Sequence, residues 1–467
     1  MTAADIYALM PIIILAGGSV ICLLAGAIRP GGYLYCLAGS LVMLSLLWSL
    51  ASPCTAVMPG LSITAFSRFF IVFLNSAGLI ALLLASGYNK RNGITGEEYP
   101  ATILFALTGM GVASAANNLL MLFLGLEAFT FAFYILVAIK RDSVMGGEAG
   151  LKYLLNGTLS AAILAMGMAL LYTARGTIRL AELAVCTTPP EPLFMAGAGL
   201  ILLGMAFKLS LVPAHLWTPD VYQGAPAPVS ALLSTASKGA SLAALLLLLP
   251  LLANWRGTHD IIWCLALFSM LTGNLAALRQ TNIKRMLAWS SIGQMGYVAL
   301  ALVVAPTGGV SAALFYVAGY SAAGLAAFGA VALLSADGEC DTLDACRGLG
   351  ERSPLAGAAL AVAMFSLAGI PPTAGFIGKF GVFRAALHGG ETVLALIGIL
   401  SALIAVFFYL RVVVMLYMKS VEAPENTIRK LTIYEIIALA APTSATILLG
   451  VYPQPLLDLI SRISIAQ

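Results

Sequence analysis

KLSLVPAHLWTPDVYQGAPAPVSALLSTASK, residues 208–238, opens and closes on a lysine and carries prolines at 213, 219, 226 and 228. Apolar sequence flanks it on both sides. An ammonium at the centre of a bilayer costs roughly 2.5–3.5 kcal/mol on insertion scales, so a lysine inside a spanning segment marks a functional path and needs a partner. Pro213 supplies no backbone N–H and its ring blocks continuation of a helix, leaving carbonyls that hydrocarbon cannot satisfy. Such a break persists only where protein surrounds it or water enters. Two lysines and an interrupted helix together indicate an ion path.

The surrounding chain fits that reading. Its 467 residues are 61% hydrophobic and 9% charged, with a mean hydropathy of +0.99, which excludes an ordinary soluble domain. Apolar runs recur with no polar segment long enough to fold separately, so residues 1–467 read as a single membrane domain. The opening MTAADIYALM has no basic flank and no clear cleavage site after it, and reads as the start of a first spanning helix. The cysteines form no CxxC pair and the nearest two, Cys340 and Cys346, lie in an acidic stretch, which argues against iron–sulfur or zinc ligation. His215, His259 and His388 are too scattered for haem, and no Walker or Rossmann glycine pattern occurs. Redox chemistry and nucleotide hydrolysis therefore do not belong to this chain alone. A net charge of +4 is unremarkable for a protein with basic cytoplasmic loops, and the expected surroundings are membrane lipid with no nucleic acid.

The expected fold is an all-α polytopic membrane protein. Runs of about 20 apolar residues place about fourteen spans near 7–27, 33–50, 65–86, 99–116, 119–139, 150–173, 192–222, 227–249, 259–279, 284–304, 308–335, 353–387, 390–418 and 432–452. The seventh and twelfth are longer than a bilayer needs and have central prolines, so both read as discontinuous. One set of alternate loops holds Arg29, Lys90, Arg91, Lys140, Arg141, Arg279, Lys284, Arg285, Arg347, Arg352, Lys419, Arg429 and Lys430. The other holds Arg175, Arg179, Arg256, Arg384 and Arg462. The positive-inside rule makes the first set cytoplasmic and puts both termini on the opposite side. The broken spans lie five apart. Helices 4–8 (99–249) and 9–13 (259–418) then form units of odd length and opposite topology, the mark of an inverted repeat with sites near the midplane. In the second unit the break reads SLAGIPPTAGFIGKFGVF, with Lys379 seven residues beyond Pro372.

Charged residues inside the spans are few. Glu127 stands near the middle of LLMLFLGLEAFTFAFYILVAI, and Lys208, Lys238 and Lys379 are the lysines placed well inside helices. Each lysine either snorkels to an interface or belongs to the path. Snorkelling is hard for Lys238, about 16 Å along a helix from Ala227. Burial disfavours a lysine's charged form and a nearby carboxylate favours it. At about 6 Å and an effective dielectric near 20, the attraction is about 2.8 kcal/mol, enough for the movement of Glu127 to control a proton on Lys208. Lys238 and Lys379 would be successive stations. His215 either hands protons between Lys208 and Lys238 or satisfies carbonyls opened at the break. Asp220 is expected to cap the following turn. Glu148 and Lys152 have the spacing of an i,i+4 pair, and Lys152 is also a candidate for the cytoplasmic entrance. Gln294 can hydrogen-bond water but carries no titrating proton.

FKLSLVPAHLWTPDVYQGAPAPVSALLSTASK, NIKRMLAWSSIGQMGYV and GIPPTAGFIGKFGVF resemble the antiporter-like membrane subunits of respiratory complex I, the bacterial NADH:quinone oxidoreductase. The resemblance covers nearly the whole chain. It implies fourteen helices, inverted repeats of five, and broken helices seven and twelve. It also implies roles: Glu127 as the glutamate of helix five, Lys208 its partner, Lys238 the central lysine and Lys379 the terminal one. Close relatives often have histidine where Gln294 stands, so the resemblance implies a water-dependent path there. Electrons would pass from NADH to quinone through FMN and iron–sulfur clusters in partner subunits, peripheral and membrane, while this chain moves protons across a bacterial inner membrane with both termini periplasmic. The chain stops too soon after its last span for the long lateral helix of the largest such subunit. The competing readings are a subunit of a multi-subunit cation/proton antiporter without electron transfer, and a self-sufficient secondary transporter.

Overall fold

The computed structural model describes residues 2–52, 55–94, 96, 98–185, 191–253, 255–334, 341–418 and 431–463. Cys340, Lys419, Arg429 and Lys430 lie outside the described residues. In chain order the elements are α1 (Ala3–Ile28), α2 (Tyr33–Ala51), β1 (Ala56–Met58), β2 (Leu61–Ile63), α3 (Ala65–Arg91), α4 (Glu98–Ala115), α5 (Leu119–Val137), α6 (Val144–Arg175) and α7 (Leu180–Ala184). There follow α8 (Pro192–Leu209), α9 (Trp217–Gly224), α10 (Ala227–Leu232), a π-helical turn (Leu233–Ser237), α11 (Lys238–Leu252), α12 (Arg256–Leu278), α13 (Ile283–Val303) and α14 (Gly309–Leu334). The chain ends with α15 (Leu349–Arg352), α16 (Pro354–Ala368), α17 (Ala374–His388), α18 (Thr392–Tyr417), α19 (Ile433–Val451) and α20 (Gln454–Ser461).

Among the described residues, twelve helices are long and apolar enough to cross a membrane, counting Ala227–Leu252 as one. The remaining expected spans are α4 and the broken pair α16 and α17. The all-helical expectation needs one local correction. Residues 56–63 form a small antiparallel hairpin, stapled to the α4–α5 connection by Asn117, whose Nδ2 donates to the Met58 carbonyl at 2.8 Å and to Ser62 Oγ at 3.0 Å.

The interior is not shared evenly. Ala227–Leu252, Ile283–Val303 and Gly309–Leu334 each have 94% of their most apolar window buried, against 28% for α2 and α19. These three central helices carry Lys238, Gln294, Tyr316 and Tyr320, so the polar groups of interest sit in the best-shielded part of the bundle. A part-buried ion pair ties the periphery: Arg91 Nη1 of α3 lies 2.5 Å from Glu435 Oε1 of α19, and Arg91 Nη2 donates to the Ala332 carbonyl of α14 at 3.4 Å.

Both expected breaks are present and end alike. The Leu211 amide donates to the Ala206 carbonyl at 2.7 Å across Ser210, whose φ is +59°, and the Ile370 amide donates to the Phe365 carbonyl at 2.9 Å across Gly369, whose φ is +88°. In each case a left-handed residue closes the half-helix and a proline follows three positions later, Pro213 or Pro372. Glycine is the ordinary occupant of that conformation. Serine stands at the first break because its hydroxyl is in use, as described below. Gly369→Ala is expected to cost about 1–2 kcal/mol, the usual penalty for a side chain in left-handed backbone. Its Cβ would also meet Lys379 Cδ at 2.9 Å. A lowered thermal midpoint of the purified assembly measures the effect, and an unchanged midpoint would show that the turn tolerates the methyl group.

Candidate functional site

Glu127 and Thr130 lie one turn apart on α5 and face the last turn of α8. Lys208 Nζ donates to Glu127 Oε1 at 2.8 Å and to Thr130 Oγ1 at 2.6 Å. Glu127 is 7% exposed and Lys208 4% exposed. The pair is therefore closed in this structure, tighter than the separation assumed from sequence, and at effective dielectric 20 the attraction is roughly double the value at 6 Å. Desolvation of both ions offsets part of that.

Lys238 is fully buried. Its Nζ donates to the Lys208 backbone carbonyl at 3.1 Å and to Ser210 Oγ, and sits 5.0 Å from the centre of the Trp217 ring. Among the described residues no carboxylate pairs with it. Thr218 donates to the same Ser210 hydroxyl at 2.6 Å, and Trp217 Nε1 donates to the Phe207 carbonyl at 3.2 Å. Carbonyls released where α8 stops thus become acceptors for a lysine one helix further on. The π-helical turn that ends at Ser237 places Lys238. Such turns recur at functional sites, and no residue type in LSTAS announces this one.

The second break repeats the device. Lys379 Nζ donates to the Leu367 and Ala368 carbonyls at 2.7 and 3.0 Å and lies 5.5 Å from the centre of the Tyr297 ring. Gln294 Nε2 donates to the same Leu367 carbonyl at 3.2 Å and to Tyr409 Oη at 2.8 Å, while Tyr316 Oη donates to Gln294 Oε1. α13 and α14 are also joined by Tyr320 Oη donating to Ser291 Oγ at 2.8 Å. Thr235 Cγ2 lies 3.1 Å from where a Cβ on Gly324 of α14 would stand.

The structure therefore brings together Glu127, Lys208 and Lys238, and separately Gln294 and Lys379. His215 is buried, with its ring 5.4 Å from that of Trp289 and Nδ1 without a hydrogen-bond partner among the described residues. No hydrogen bond joins it to either lysine among the described residues.

Two expectations are corrected. Asp220 is not a turn cap: it accepts from Lys152 Nζ at 2.8 Å and from Arg285 Nη1 at 2.5 Å. It thus bridges α6 to α13 across an open polar cavity of about 180 Å³. Lys152 also keeps its 2.7 Å pair with Glu148. Lys284, assigned from sequence to a loop, is fully buried, donates to the Ala225 carbonyl at 3.1 Å and lies 3.7 Å from Asp341 Oδ1. Pro226, which ends α9, is the only hint in the sequence that a carbonyl waits there. No group of three potential metal ligands occurs among the described residues.

Residues 116–405 match the family described as NADH:quinone oxidoreductase/Mrp antiporter, TM. The chain belongs to that family. NADH-quinone oxidoreductase subunit N of Geotalea uraniireducens is 52% identical over 468 residues, covering 99% of this chain and 100% of the relative. Its counterpart in Geobacter metallireducens is 50% identical over 466 residues, with 99% and 100% covered. A chain of respiratory complex I from Thermus thermophilus, solved with bound aureothin, superposes with a TM-score of 0.83 at 32% identity, covering 96% of this chain and 99% of that one. Members of the family share the antiporter-like fold described above.

The Asp220 bridge is partly exposed, so its coupling energy is discounted toward the range of surface pairs. A double-mutant cycle of Asp220→Asn and Arg285→Gln, read as thermal stability of the assembly, is expected to give a coupling of about 0.5–1 kcal/mol. Strict additivity would mean that the contact does not join α9 to α13 energetically.

Proposed function

We propose that this chain is a proton-translocating membrane subunit of an NADH:quinone oxidoreductase, a translocase component without a redox centre of its own. Its partners are then the other membrane and peripheral subunits, and FMN, iron–sulfur clusters and quinone belong to them. Full-length similarity to subunit N of two bacteria supports the assignment. The single observation that carries the mechanism is Lys238: a fully buried amine, held by a broken helix, one carbonyl away from a glutamate–lysine pair.

In this reading residues 99–249 and 259–418 are inverted repeats, each built around one break, in a bacterial inner membrane with both termini periplasmic. Protons enter near Lys152, on the side where Arg285 and Asp220 meet. Glu127 at hydrogen-bond distance stabilises the ammonium of Lys208. When the carboxylate withdraws, the ammonium loses its charged partner and its proton passes, through water, to Lys238. Water carries it from there past Gln294 to Lys379. His215, with a buried ring nitrogen that has no hydrogen-bond partner among the described residues, extends the proton path at the first break. The driving step, quinone reduction, happens in other subunits.

The family description names Mrp antiporters as well, which supports the alternative of an antiporter subunit without electron transfer. Adjacent genes for flavin and iron–sulfur subunits would favour the oxidoreductase, and genes for small membrane subunits alone would favour the antiporter.

Lys238→Ala is expected to lower quinone-coupled proton pumping several-fold while NADH oxidation with an artificial acceptor continues. Wild-type pumping stoichiometry in that variant would remove Lys238 from the path. Glu127→Gln is expected to weaken the hold on Lys208 and reduce pumping. If the pH profile of pumping is unchanged, the two residues do not act as a unit.

A further inference from the structure

An apolar cleft of about 720 Å³ lies between α2, α3, α14, α19 and α20, away from the lysines described above. Its shape follows from how three helices are tied. At one end Arg91, Glu435 and the Ala332 carbonyl draw α3, α19 and α14 together. At the other end no ion pair or side-chain hydrogen bond joins these three helices among the described residues. Two arginines stand at that open end, Arg68 in the first turn of α3 and Arg462 just past α20.

Those arginines are available to a ligand. Arg68 Nη1 donates to the Ser52 carbonyl at 2.6 Å, which anchors one edge of the guanidinium and leaves the rest of its five N–H donors. Neither arginine pairs with a carboxylate among the described residues. The nearby Asp458 accepts from Gln454 Nε2 at 2.8 Å. Arg462 is exposed and Arg68 half-buried. Behind them the lining is apolar as far as Ile80 and Ala441. From Arg68 to Ile80 is twelve residues of helix, or about 18 Å, the reach of a long acyl chain.

A second observation comes from Ser321. It is 2% exposed, lines the cleft, and its hydroxyl has no hydrogen-bond partner among the described residues. Buried hydroxyls are normally bonded. Phe69, Phe70 and Phe73 of α3 lie level with Leu314, Val317 and Ala318 of α14, which puts Ser321 one to two turns below Arg68. That is the depth of the ester carbonyls of a diacyl lipid whose phosphate rests on the arginines.

We propose that this cleft binds one anionic phospholipid, with its phosphate on Arg68 and Arg462, an ester carbonyl at Ser321 and an acyl chain running to Ile80 and Ala441. Guanidinium groups suit phosphate through parallel N–H bonds, and the apolar body accounts for the rest of the ligand. The α14 wall of the cleft, Ala318 to Leu325, belongs to the helix that carries Tyr316 and Tyr320. A bound lipid therefore braces the helix that clasps Gln294 and Ser291.

The test uses the intact assembly in liposomes and phosphatidylglycerol bearing a photoreactive group at the end of one acyl chain, with phosphatidylcholine of the same chain as comparison. Labelled peptides are located by mass spectrometry, so the readout does not depend on proton pumping. Label is expected around Ser76–Ile80 and Ala441–Ala445, at least fivefold stronger with the anionic lipid. Arg462→Gln, an exposed position, should cut the anionic label at least threefold, and Ala322→Phe should remove label from both lipids by filling the cleft. Equal labelling by the two lipids, or labelling indifferent to both substitutions, overturns the proposal. So does a cross-link from Ala445→Cys to a neighbouring subunit, which would show a protein helix occupying the cleft.

Discussion

A helix that stops inside an apolar bundle leaves carbonyls with no donor, and hydrocarbon offers none. In this protein lysines meet that need. Lys238 takes the carbonyl of Lys208 at the end of α8, and Lys379 takes those of Leu367 and Ala368 at the end of α16. The arrangement solves two problems together. Each ammonium gains acceptors at the negative end of a half-helix, and each exposed carbonyl gains a donor without the chain having to continue as helix.

The two breaks differ in one respect that bears on function. At the first, a carboxylate joins in: Glu127 holds Lys208, and Lys208 in turn presents its own carbonyl to Lys238. At the second, the neutral Gln294 shares the Leu367 carbonyl with Lys379 and is itself gripped by Tyr316 and Tyr409. One break is built around a charge pair. The other is built around a fixed amide.

The helices outside this axis act as a frame. Asp220 ties α6 and α9 to α13, and the Arg91–Glu435 pair gathers α3, α14 and α19. The arginine-edged cleft lies toward the other end of α3, and α14 is common to cleft and axis. Lipid at the periphery and polar contacts at the centre thus share a wall.

Much of this was readable in one dimension. Pro213 and Pro372 stand in apolar runs longer than a bilayer needs, and it is that excess length with the proline that marks a break, since Pro11 and Pro442 lie inside continuous helices; lysines or a glutamate in such runs required burial against partners. Glu127, Lys208, Lys238 and Lys379 could be picked out for that reason alone. Other features were not readable. Lys284 looked like a loop residue because it begins a span, and its burial depends on the Ala225 carbonyl brought from α9. Asp220 looked like a turn residue, and its role as a bridge depends on α6 and α13 arriving beside it. The clasp on Gln294 joins residues far apart in sequence, as does the cleft that Arg68 and Arg462 both line, and the π-helical turn before Lys238 has no local signature. Hydropathy and proline act through the chain's own backbone and its contact with lipid, so sequence alone pointed to the spans, the two breaks and the charges of Glu127, Lys208, Lys238 and Lys379. Which polar group meets which depends on helices packing across the bundle, and only the tertiary structure decided that.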